Sequence, residues 1–99
     1  PENIKQALMK NWWDKAEAMD CFAEIKFTDE DNKWNYYIYA LNPDDETEAM
    51  MIVDTIYNPL NPFTVTTSIY NTSHNVDGID TEFRRMKAST LLKKLKGES

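Results

Sequence analysis

Ninety-nine residues, 41% of them apolar and 12% aromatic, suffice for one domain with one modest core, and they are too aromatic for a disordered chain. A formal net charge of −6 argues against general binding to a phosphate backbone, and no apolar run is long enough to span a membrane. Cys21 is the only cysteine, which excludes an internal disulfide. With no long apolar stretch over residues 1–13, the expected compartment is the reducing cytoplasm.

The first element reads as a helix over about residues 4–19. Asn3 suits an N-cap, Gln6 completes a capping-box spacing, and Ile4, Leu8, Trp12, Ala16 and Met19 share one stripe of a 3.6-residue wheel. Trp13 points off that stripe, toward a rim or a partner. Two alternating stretches, about 21–28 and 33–41, flank the polar turn Asp29-Glu30-Asp31-Asn32 and predict a hairpin. Folding about that turn pairs Phe27 with Trp34, Ile25 with Tyr36, Ala23 with Ile38 and Cys21 with Ala40 on an apolar face. The other face pairs Phe22 with Tyr39 and Glu24 with Tyr37, and is unusually aromatic.

A third strand over about 49–57 is rich in β-branched residues and closes at Pro59; the Asn58-Pro59-Leu60-Asn61-Pro62 segment must turn. A fourth is expected over about 63–76. Residues 79–96 have helical composition, but Ile79, Phe83 and Met86 fall opposite Leu91, Leu92 and Leu95 on a wheel. The preferred reading makes Asp77-Gly78 a two-residue hairpin turn into a fifth strand over about 79–88. That turn pairs Ile69 with Met86 and Tyr70 with Arg85, and Ser89 then caps a short helix over about 90–96 that stops at Gly97. The expected fold is α+β: an N-terminal helix, a five-stranded antiparallel meander sheet and a short C-terminal helix.

Catalytic signals are weak. His74, the only histidine, sits in a polar stretch, and Cys21 falls on the predicted core face as an inert thiol. One Cys and one His cannot make a structural zinc site, and the acidic turns lack the spaced ligands and glycine of a calcium loop. No glycine-rich phosphate loop exists, so no metal, cofactor or enzymatic activity is expected.

Binding is the better expectation. The first sixty residues hold thirteen of the seventeen carboxylates, whereas residues 84–96 hold six of the eleven Lys and Arg and no carboxylate. The basic end is largely explained by a strand face and by Lys93, Lys94 and Lys96 at a helix C-terminus. The acidic end points to an accessory or inhibitory protein meeting the basic surface of a partner such as a nucleic-acid-binding enzyme, a compositional profile shared with phage and mobile-element inhibitors of host defence. Trp13, Tyr37 and Tyr39 are the candidate apolar anchors; Asp29, Glu30, Asp31, Asp44, Asp45, Glu46 and Glu48 are the candidate charged contacts. A competing reading is a single-stranded nucleic-acid binder using Tyr70, Arg84, Arg85 and Lys87, which the acidic body disfavours. The aromatic face would also suit homodimerisation, and a chain of this size would suit a structural role in a larger assembly.

Overall fold

The computed structural model describes residues 2–29, 32–71 and 76–98. It is α+β, with three helices and a five-stranded antiparallel sheet. The elements are α1 (Glu2–Lys10), α2 (Asp14–Glu17), β1 (Phe22–Ala23), β2 (Ile25–Asp29), β3 (Trp34–Asn42), β4 (Asp45–Thr55), β5 (Phe63–Ser68), a 3-10 turn (Ile69–Asn71), β6 (Val76–Ile79), β7 (Met86–Lys87) and α3 (Ala88–Leu95).

The centre of the sheet is apolar on both faces. Met50 and Ile52 of β4 point to one side, with Tyr37, Tyr39, Ala16 and Leu91; Met51 and Val53 point to the other, with Tyr36, Ile38 and Leu8. Both faces must therefore be covered. That requirement breaks the expected helix over 4–19 in two. Ile4 and Leu8 belong to one cluster, while Trp12, Ala16 and Met19 of the same stripe belong to the other. No straight helix reaches both sides of a sheet. The amides of Asn11 and Trp12 donate to the carbonyls of Leu8 and Met9, tightening the last turn of α1, and Trp13 at φ 89° reverses the chain into α2.

The 21–41 hairpin forms two residues out of the expected register. Ile25 pairs with Ile38, Phe27 with Tyr36 and Asp29 with Trp34, and Asn32, between the two strands, takes a positive φ. A shift of two keeps each side chain on its expected face, and the Phe27 and Tyr36 rings stack at 4.8 Å. The β3–β4 register slips between Ile38 and Ala40, so Tyr39 has no partner across the ladder. Its carbonyl instead accepts from Asn11 Nδ2 at 2.9 Å and from the Cys21 thiol at 3.7 Å, tying the α1–α2 turn to the sheet. The third strand begins earlier than expected and the fourth ends earlier, at Ser68.

Strands β2 to β5 form a meander, but the last strand lies elsewhere. The order is β5-β4-β3-β2-β6, so β6 lies beside β2 at the far edge rather than beside β5. Asp77-Gly78 is not a turn. It lies inside β6, where the register shift between Thr28 and Asp29 is matched by Gly78 at φ 137°. The conformational freedom that suggested a hairpin is spent on an irregular edge strand. Residues 79–88 are accordingly not one strand: Ile79 ends β6, Asp80–Arg85 form a connection, and Met86–Lys87 pair with β1 in a separate two-stranded ribbon. Ser89 does not cap α3, which already starts at Ala88 without a side-chain cap. Gly97 does end it. At φ 81° it sits in a Schellman arrangement, with the Glu98 and Gly97 amides donating to the Lys93 and Lys94 carbonyls at 2.9 and 3.0 Å.

A Cβ at Gly78 would meet nothing within 4 Å, so any cost of substitution there is purely backbone strain. Gly78→Ala should lower stability by about 1 kcal/mol or more in urea unfolding, and an unchanged midpoint would contradict the β6 geometry.

Candidate functional site

The structure separates the expected anchors. Tyr37 and Tyr39 are 7% and 5% exposed and cannot serve as surface contacts. The turn through Phe83 covers Tyr37, whose ring lies 5.6 Å from Phe83 and under the Lys26 ammonium at 5.5 Å; Tyr39 packs in the cluster formed with α2 and α3. Burial pushes both phenols up to about 12, with Asp54 and Asp80 adding to the effect at Tyr37 and Cys21 at Tyr39. Asp29 is buried as well, and among the described residues its Oδ1 has no hydrogen-bond partner. Glu30, Asp31 and His74 lie outside the described residues.

Trp13 is the anchor that stays outside. It is 50% exposed, touches Trp12 at 5.9 Å between ring centroids, and borders a cleft of about 380 Å³ with Glu17, Met19, Tyr39, Thr64 and Thr66. Its φ of 89° and ψ of −72° match the rare and strained γ-turn geometry. Met19, in the same cleft, has φ 55°, and Leu60, three residues before β5, has φ 60° and is largely exposed. Asn32 apart, these are the non-glycine residues of positive φ among those described. Large side chains avoid that region, at a cost of about 1–3 kcal/mol each. All three flank β5, either in the cleft that Thr64 and Thr66 help to line or in the loop that leads into the strand.

The acidic turn at the other end of β5 is partly occupied by its own contacts. Asn42 Oδ1 accepts from the Asp44 amide at 2.8 Å, and Asn42 Nδ2 donates to Glu48 at 2.9 Å. Glu46 pairs with Lys5 at 2.8 Å. Asp45 accepts from the Thr47 hydroxyl at 2.7 Å and the Thr47 amide at 3.0 Å, bonds that hold its carboxyl below the usual range. Asp44, Asp45 and Glu46 are all exposed, and Glu48 lies across from Ser68, the last residue of β5.

The nucleic-acid set does not assemble. Tyr70 is 73% exposed but lines an apolar groove over Phe27, Ile38 and Leu41, whereas Arg85 and Lys87 line a separate cleft with Lys10, Lys15 and Phe22. The expected Tyr70–Arg85 pairing is absent because β6 does not lie beside β5. The basic cleft is also largely satisfied from within. Arg85 grips Glu24 through two 2.8 Å bonds and covers Phe22 at 4.1 Å, Lys87 reaches Asp20 at 3.3 Å, and Lys10 matches the C-terminal dipole of α1. A base stacking on Phe22 would have to displace that guanidinium. Burial, reinforced by Asp20, pushes the Cys21 thiol up, away from a nucleophile's range.

Residues not expected from the sequence complete the surface near β5. Ile56, Tyr57, Leu60 and Phe63 are all exposed, with Tyr57 against Trp34 at 5.9 Å and Leu60 beside Gly97. The signal was present in the run Phe63-Thr64-Val65-Thr66-Thr67-Ser68, which is β-prone and carries no charge. No group of three or more His, Cys, Asp or Glu able to hold a metal occurs among the described residues, and none of their helices is long and apolar enough to cross a membrane. No family model, curated protein or solved structure matches the chain.

Two measurements probe this geometry. Trp13→Gly should be more stable than Trp13→Ala by about 1 kcal/mol in urea unfolding, since glycine relieves the positive φ and alanine does not; equal midpoints would deny the strain. Because the Tyr37 and Tyr39 phenols titrate near 12 when folded and near 10 when free, deprotonation favours the unfolded chain. Stability should be full below pH 10 and decline from pH 10 to 12. Tyr37→Phe and Tyr39→Phe should each flatten that decline in pH-dependent unfolding.

Proposed function

We propose that this chain is a non-enzymatic protein-binding module, an accessory or inhibitory factor for a partner with a basic surface. The observation that carries the proposal is the gathering of strained, large apolar residues about one strand: Trp13, Met19 and Leu60 all take positive φ beside β5. Backbone strain of this kind persists where the presentation of a side chain matters more than local stability. Aromatic anchors dominate interface energetics, and Trp13 is the large aromatic so presented. Asp14, Glu17, Asp44 and Asp45 are exposed, Glu17 bordering the Trp13 cleft and Asp14 following Trp13 in the chain, and they supply the attraction that a cationic surface would feel.

The partner is more basic than a second copy, because association of two chains of net charge −6 opposes itself. Affinity capture from the native source at low salt should recover a basic protein. Its retention should fall by about tenfold or more with Trp13→Ala, and again when Asp14, Glu17, Asp44 and Asp45 are changed to their amides. Retention that ignores salt, or that survives both sets of changes, would remove the proposal.

A further inference from the structure

The two edges of the sheet are unlike. β6 is four residues long, its pairing with β2 shifts at Thr28/Asp29, and Gly78 within it takes φ 137°. Short and irregular edges are how sheets avoid taking on another strand. β5 has none of these protections. Its residues Phe63 to Ser68 pair with β4 in six consecutive steps without a shift, and they include no charge and no proline. Four of the six are Val or Thr, the residues that best suit a further strand. Among the described residues no strand pairs with its outer side.

We infer that β5 is the docking edge, and that an extended, basic segment of the partner adds along it as a sixth strand. This presupposes the protein-binding role proposed above and gives it a geometry. Side chains of an added strand alternate between the two faces. On the face of Thr64 and Thr66, one set meets the cleft bordered by Trp13, Met19 and Glu17; on the other face, the other set meets the exposed Phe63 and the partly buried Val65. Charge decides the occupant. Glu17 borders the cleft, and Glu48, Asp45 and Asp44 lie at the Ser68 end, so Lys or Arg is favoured at that end and in the cleft, and Asp or Glu is disfavoured. A second copy would set net charge −6 against net charge −6, which disfavours it as the occupant.

A display library of random extended peptides, selected against the intact chain, supplies the probe. Enriched sequences should alternate apolar or β-branched residues and carry Lys or Arg toward one end. N-methylation of the best binder, one amide at a time, should then weaken binding by about tenfold at every second position and little at those between, because only alternate amides face the edge. Amides of residues 63–68 that exchange freely in the isolated chain should become protected on binding. No enrichment, acidic consensus sequences, or losses on N-methylation that do not alternate would overturn strand addition. Should the captured basic protein still depend on Trp13 in that event, the protein-binding proposal stands and only its geometry fails. If capture fails too, both fall. A dimer of the chain alone, with residues 63–68 protected before any peptide is added, would make the occupant a second copy and equally overturn the inference.

Discussion

The structure depends on the double-sided burial of β3 and β4. Tyr36, Ile38, Met51 and Val53 face one way, and Tyr37, Tyr39, Met50 and Ile52 the other, so a short chain has two hydrophobic faces to hide. It does so with very little helix. α1 covers one face; the α1–α2 turn, the Phe83 turn and α3 cover the other. Each departure from regularity follows from this division. The N-terminal helix breaks at Trp13 to change sides, the strand bulges at Tyr39 so that its carbonyl can hold Asn11, and Met86–Lys87 detach from the main sheet to bring α3 over Tyr39 and Ala23.

The same division organises the surface electrostatics. Several cations are used within the molecule: Arg85 on Glu24, Lys87 on Asp20, Lys26 on Asp80, Lys5 on Glu46. Exposed pairs of this kind contribute little to stability, but they cancel the field locally. The excess negative charge is therefore felt at other exposed carboxylates, among them Asp14, Glu17, Asp44 and Asp45, of which Glu17 borders the cleft that Thr64 and Thr66 of β5 help to line. Part of the basic end is thus folded onto carboxylates, Arg85 on Glu24 and Lys87 on Asp20, while Glu17 stays at the cleft beside β5.

Much of the fold was legible because its signals are local. The alternation in β2 and β3, the run of β-branched residues in β4, the prolines after it and the glycine ending α3 each act over a few residues. The failures are of long range. Ile4, Leu8, Trp12, Ala16 and Met19 form an unbroken stripe, and nothing within it says that its halves belong to different faces. Asp77-Gly78 satisfies a hairpin turn and an irregular edge strand equally well, and only competition between β2 and β5 for a neighbour decides. Tyr37 and Tyr39 looked exposed because their cover comes largely from residues distant in the chain, Phe83 and α3 among them. For the site, Trp13 was legible as a residue off its helical stripe, whereas the strain that holds it there depends on the tertiary break.

The placement of β6 also bears on how the chain is made. β2 has one neighbour, β3, only a few residues downstream, but its other neighbour arrives with Val76–Ile79, about fifty residues later. At a synthesis rate of about 5–20 residues per second, the emerging sheet spends several seconds with both sides open to other strands. One of those sides is sealed by the last third of the chain. A nascent polypeptide stalled or cleaved before residue 76 would keep two sticky borders instead of one, so the completed C-terminal third acts as a built-in cap that a truncated product lacks.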